Sequence, residues 1–130
     1  MFDAPSSDPE LEIPFAVKDS AVPVEPFPWG TLQWLCNDRL SAGAEQTFGI
    51  SEIPPGQKNP LHYHPNCEEL LYVLQGTGRH SYDDAMIDLK PGSLIRIPLG
   101  VRHNVINTGA EPLRCIIVFS TGERRTVFLE

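Results

Sequence analysis

The sequence predicts an all-β fold, and three observations carry that expectation. Short stretches of alternating or continuous apolar residues recur between glycine and proline corners, which is how strands and tight turns are written in a sequence. No stretch keeps a helical period long enough for a substantial helix, and there is no internal repeat. Two long, spaced patterns contain three of the four histidines. The first runs Gly56, His62, His64, Glu69, Gly76, and the second runs Gly92, Pro98, Gly100, His103, Asn107. A lone His-x-His pair arises often by chance, whereas ten positions agreeing across two segments is a strong signal.

Residues 1–28 hold six prolines, at positions 5, 9, 14, 23, 26 and 28, mixed with acids. Proline lacks the amide that helix interiors and central strands need, so this segment reads as an extended arm, with disorder expected up to about residue 10. Leu11, Ile13, Phe15 and Val17 alternate, which suggests that the middle of the arm docks along a sheet. Thr31 to Cys36 reads as a strand carrying Trp34, and Asn37 to Gly43 as a polar connector. Glu45 to Ile53 alternates Gln46, Phe48 and Ile50 against Thr47, Gly49 and Ser51. Strand alternation puts His62 and His64 on one face and Tyr63 on the other, so the two imidazoles can meet one ion. Pro65-Asn66 is a turn, and Glu69 to Leu74 is the next strand, which delivers Glu69 back toward that ion with Leu71 and Val73 on its face. Gly76 and Gly78 bracket the following turn, and Thr77 to Tyr82 leads to a turn at Asp83-Asp84. Pro91-Gly92 turns into a strand from Ser93 to Ile97, and Pro98-Leu99-Gly100 is a tight corner before His103 to Asn107 returns. Leu113 to Phe119 is apolar on both faces, so both should be covered, and Thr126 to Leu129 is a last short strand or tail.

Three imidazoles and one carboxylate suit a borderline divalent transition metal such as iron, manganese, nickel, copper or zinc. At these residues the chain resembles the cupin superfamily, in its small single-domain form. The first cupin motif is Gly, five residues, His-x-His, three or four residues, Glu, six residues, Gly, which Gly56 to Gly76 matches with four residues before Glu69. The second is Gly, five residues, Pro-x-Gly, two residues, His, three residues, Asn, which Gly92 to Asn107 matches without departure. The resemblance covers roughly residues 30–120. It implies a double-stranded β-helix, or jelly-roll, barrel over residues 29–130, with the proline-rich arm of residues 1–28 outside it. It also implies one divalent metal inside, held by His62, His64, Glu69 and His103. Glu68 fits the three-residue form of the first motif, but only Glu69 keeps the six-residue step to Gly76, and alternation lets only one of them face the ion. His80, the fourth histidine, is expected at the surface or the pocket rim. Some cupins carry a hydrogen-bonded network without metal, and those usually lose a ligand, whereas this chain keeps all four.

Cupins include dioxygenases, decarboxylases, isomerases, lyases and metal-free binders, so the fold does not fix the reaction. Octahedral iron or manganese with four protein ligands leaves two positions for water, oxygen or a bidentate substrate, which suits an oxygenase-type reaction on a small molecule. Phe48, Ile50, Leu71, Val73, Ile95, Ile97 and Val105 would line the site with apolar surface if these positions face inward. The second reading is a metal-dependent lyase or isomerase. The chain distantly resembles the small cupin lyases that cleave dimethylsulfoniopropionate, including Leu-His-Tyr-His at 61–64. A tyrosine base serves in those lyases, and here Tyr63 and Tyr72 should face away while Tyr82 adjoins the hairpin turn. A third reading is a non-catalytic small-molecule-binding cupin.

A chain of 130 residues can bury one core but not two. No stretch is apolar for long enough to span a membrane, and the opening Met1-Phe2-Asp3-Ala4-Pro5 is the reverse of a basic secretory leader, so a cytoplasmic location is the expectation. The net charge of -7 argues against a nucleic-acid partner. Cys36, Cys67 and Cys115 are an odd count with no close pair and read as reduced thiols. Cys67 is read as a turn residue directed away from the site, and Cys115 as core packing. Apolar strands that need cover predict a homodimer, with the arm packed on the partner or on its own outer sheet.

Overall fold

The computed structural model describes residues 16–130, so Leu11, Ile13 and Phe15 of the alternating arm lie outside the described residues. The architecture is two antiparallel sheets closed over one core. In chain order the strands are β1 (Glu25–Phe27), β2 (Gly30–Cys36), β3 (Thr47–Ile53), β4 (His62–Tyr63), β5 (Glu69–Gln75), β6 (Gly78–Tyr82), β7 (Ala85–Leu89), β8 (Leu94–Ile97), β9 (His103–Asn107), β10 (Leu113–Phe119) and β11 (Val127–Phe128). One sheet has the order β1-β2-β3-β10-β5-β8 and the other β11-β4-β9-β6-β7, the jelly-roll arrangement that the sequence motifs imply. Among the described residues no helix is long and apolar enough to cross a membrane.

β10 is one of the two central strands of the larger sheet. It pairs with β3 from Leu113↔Ile53 to Phe119↔Thr47, and on its other side with β5 as far as Phe119↔Glu69. Its inward residues Leu113, Cys115, Ile117 and Phe119 are buried, and its outward Ile116 and Val118 are half-buried. β3 keeps the opposite parity to the one its apolar residues suggest. Thr47, Gly49, Ser51 and Ile53 face inward and Phe48 and Ile50 face outward. The reason is steric: the Trp34 ring lies over Gly49, and a Cβ there would stand 2.5 Å from it.

Two corners join the motifs. Gly76 adopts φ +90°, and a Cβ on it would come within 2.5 Å of the Pro112 carbonyl oxygen, so only glycine fits between β5 and the start of β10. The Gly100 amide donates to the His64 carbonyl at 3.0 Å and ties the second motif's corner to the first motif. On the outside of β2, Gln33 donates from Nε2 to the carbonyls of Asp19 (2.7 Å) and Val22 (3.0 Å). Residues 19–22 are thereby bound along this chain's own outer sheet. Pro26 sits in the edge strand β1, where a missing amide leaves no ladder bond unmade.

Candidate metal centre

His62 lies in β4, His64 just after it, Glu69 opens β5 and His103 opens β9. Antiparallel pairing sets His62 opposite His103, and the turn after His64 brings Glu69 alongside. All four are buried, and one ligand atom from each lies within 4.8 Å of all the others. Glu69 Oε1 is 3.1 Å from His103 Nε2 and 3.2 Å from His64 Nε2. Glu68 points out of the barrel, where its carboxylate meets the Arg96 guanidinium at 2.8 Å.

The tautomers follow from the outer contacts. Nδ1 of His62 faces the Pro60 carbonyl at 2.7 Å, that of His64 the Arg125 carbonyl at 2.8 Å, and that of His103 the Val101 carbonyl at 2.9 Å. A carbonyl only accepts, so each Nδ1 carries a proton and each Nε2 turns inward. The charges respond to this crowding. Burial opposes ionisation of Glu69, but the close imidazoles of His103 and His64 outweigh it and hold the carboxyl well below the usual range. Burial also disfavours the charged form of His103, yet Glu69 outweighs it and raises that imidazole's pKa. His62 is pushed down to about 4, by burial first and then by His103. Nε2 of His64 is buried near Glu69 without a well-formed hydrogen bond. A carboxylate ringed by three inward Nε2 atoms, one of them orphaned, is a donor set that fits a divalent transition ion.

The four residues line a cavity of about 670 Å³. Of the anticipated apolar lining, Leu71 and Val105 reach it, while Val73, Ile95 and Ile97 are buried in the core without lining it. Phe48 and Ile50 face the other way, as the β3 parity dictates. In their place stand Ile53, Ile117, Phe119, Leu32, Trp29 and Trp34. No tyrosine lines the cavity among the described residues. Cys67 is buried in the core and is outside both the cluster and the lining, and its thiol pKa is raised by burial and then by Glu69.

His80 departs from the rim position expected of it. It is 0% exposed, because β6 is flanked by β9 and β7 and His80 shares its inward parity with Gly78. Its ring stacks on His103 at 5.4 Å between centroids and 8° between planes. Neither ring nitrogen has a well-formed hydrogen bond to the protein, and burial, then His103, pushes its pKa down to about 4. Arg124 is the other residue the motifs do not mark. It lines the cavity and packs over Trp34.

The Cupin domain family model matches residues 49–119, and the chain belongs to the cupin family. The protein MJ1618 of Methanocaldococcus jannaschii is 28% identical over 103 residues, 79% of this chain and 75% of that protein. Protein SchB of Streptomyces halstedii is 39% identical over 83 residues, 63% of this chain and 59% of its own length. The formate complex of Lactobacillus farciminis oxalate decarboxylase matches with a TM-score of 0.78 at 24% identity, covering 85% of this chain and 34% of that one. The chain therefore spans about a third of the decarboxylase, and the likeness is one of fold.

Proposed function

We propose that His62, His64, Glu69 and His103 hold one divalent transition metal, and that the barrel carries out an oxygenase-type reaction on a small molecule. The observation that carries this reading is the convergence of three inward Nε2 atoms and one carboxylate on an apolar cavity. The metal would supply Lewis acidity and open coordination positions where substrate and dioxygen can meet. The chain's own residues do the rest. Three backbone carbonyls hold the imidazoles in the binding tautomer. Leu71, Val105, Ile117 and Phe119 keep competing water from the reacting end of the cavity. The lyases that the chain distantly resembles use a tyrosine base, and no tyrosine of the described residues lines the cavity, although the carboxylates of Glu25 and Glu130 do.

The test is oxygen uptake by protein loaded separately with iron, manganese, nickel, copper or zinc, against a panel of small organic acids and enols. Uptake matched to substrate loss supports the oxygenase. Turnover at an equal rate without oxygen would make the protein a lyase or isomerase, and tight binding without turnover a binding module.

The outer face of the larger sheet supports a homodimer. Phe48, Ile50, Ile116 and Val118 are half-buried there, and Leu70 and Tyr72 are 38% and 41% exposed. The register makes them one patch, with Ile50↔Ile116↔Tyr72 and Phe48↔Val118↔Leu70 across three strands. A contiguous apolar patch of this kind on a small domain marks an interaction site. Light scattering at micromolar concentration should give twice the mass of the 14.5 kDa chain. Leu70→Glu with Tyr72→Glu should give the single mass while metal content is kept. A wild-type monomer refutes the dimer. A dimer that survives removal of residues 1–28 refutes only a role for the arm.

A further inference from the structure

Arg124 is a cation that lines the cavity and, among the described residues, forms no ion pair. Its guanidinium carbon lies 4.3 Å from the centre of the Trp34 ring and 5.3 Å from that of Phe119. Nη1 donates to Thr126 Oγ1 at 2.6 Å. The arginines that do form ion pairs, Arg79, Arg96, Arg102 and Arg114, do so with Asp88, Glu68, Asp83 and Glu52 away from the cavity. Among the described residues Arg124 has no such partner.

A guanidinium offers five N–H donors in a rigid fork, and among the described residues only Thr126 Oγ1 accepts from one of them. Half-burying that charge has a desolvation cost that stacking on two aromatic faces offsets only in part. The side chain opens onto the same cavity as His62, His64, Glu69 and His103. Glu25 and Glu130 line it as well, and Glu69 and Glu25 act on the guanidinium through space, but none of these carboxylates forms an ion pair with it. An anionic ligand oxygen completes this arrangement, because a planar fork matches a carboxylate or enolate better than any neutral group. The shape of the cavity narrows the class further. Trp29, Trp34 and Phe119 give it flat aromatic walls, and Trp29 is itself stacked on Phe27 at 5.1 Å and 11°. Ile117 and Val105 complete an apolar lining. Flat apolar walls favour a flat ligand body.

We propose that Arg124 is the anion anchor of this cavity, and that its small molecule is a planar aromatic or conjugated acid whose carboxylate or enolate oxygen pairs with the guanidinium. The proposal rests on reading the cavity as the substrate site and names the substrate's class. Arg124 thereby determines specificity: it holds the acid end while the flat body lies along the walls toward the metal cluster.

Benzoate and benzamide are a fitting pair of probes, since they share a shape and differ in charge. Calorimetry and tryptophan fluorescence would follow their binding to wild-type protein, Arg124→Met and Arg124→Lys, each zinc-loaded and chelated. Wild type should prefer benzoate by about tenfold or more. Arg124→Met, which keeps an apolar stem on Trp34, should erase that preference in the chelated protein and leave benzamide binding unchanged. Arg124→Lys should retain part of the preference. Equal binding of the two probes to wild type, binding of neither, or an undiminished preference in chelated Arg124→Met would each overturn the proposal. Failure of the metal reading shows separately, because zinc loading would then change neither probe's affinity in any variant. A variant that has misfolded is recognised by loss of its circular dichroism spectrum, and Arg124→Lys then carries the test.

Discussion

Replacing His62 and His64 together by alanine should abolish stoichiometric metal and lower the melting temperature of the metal-loaded protein by on the order of 10 °C. Both imidazoles are buried and their Nδ1 protons are already committed to carbonyls, so nothing else in the chain can present Nε2 at those points. A ligand held at a hundred times its dissociation constant stabilises the fold by about 2.7 kcal/mol, and 1 kcal/mol moves the melting point of a domain this size by roughly 4 °C. Elemental analysis of the purified double variant measures the first effect and thermal denaturation with and without metal the second. Full occupancy in the variant would remove these histidines from the site. The same assay ranks the carboxylates. Glu69→Gln should surrender metal to a chelator at least about tenfold more readily than wild type, since the lost charge lies inside the cluster. Glu68→Gln removes only an exposed ion pair with Arg96, worth at most about 1 kcal/mol, and should hold metal as wild type does. The reverse ranking would mean that the wrong carboxylate has been chosen.

What could be seen in the sequence and what could not divides along physical lines. The cluster was legible because its residues are held by turns, and turns have strict chemistry. Gly76 and Gly100 sit at positive φ, and the spacing between such corners dictates which residues return to the same place. Glu69 could be separated from Glu68 because a strand alternates and Leu71 and Val73 share the parity of Glu69. The same rule misled at β3. Phe48 and Ile50 are the apolar residues there, and alternation alone points them to the cavity, but the outer face of this sheet is apolar too. Only the Trp34 ring over Gly49, a contact between strands, decides the parity, and no local pattern encodes it. The sequence points His80 to the rim because its strand leads to a solvent-facing turn. The pairing of β6 on both sides, which buries it, is long-range. Arg124 stands in the run Gly-Glu-Arg-Arg, where nothing local distinguishes it from the exposed Arg125. Its role depends on Trp34, ninety residues earlier in the chain, and a pair so far apart leaves no local pattern.

The metal-free protein should lose stability steeply between pH 7 and pH 5, and His80 should account for about half of the loss. His62 and His80 both have pKa values lowered from 6.5 to about 4, chiefly by burial. Between those values the unfolded chain takes up protons that the native state excludes, so the stability contributed by each neutral, buried ring is fully present above about 6.5 and drains away as pH falls toward 4. At pH 5 this amounts to about 2 kcal/mol for each ring. Two other groups titrate differently. The raised pKa of His103 contributes stability below 6.5 that disappears only as pH rises through its folded value, so it offsets a small part of the loss near neutrality. The lowered pKa of Glu69 contributes stability present above about 4.5 and lost only at more acid pH, outside this window. Melting curves of chelated protein at pH 7 and pH 5 should therefore differ by on the order of 10 °C. His80→Phe keeps a ring against His103 and cannot titrate, so its melting temperature should fall about half as far over the same interval. Histidines 62 and 80 would be shown to be open to solvent protons by wild-type curves that coincide at the two pH values. A His80→Phe variant that falls as far as wild type would place the whole effect on His62 and the rest of the cluster, and would leave the stacked ring of His80 with a packing role alone.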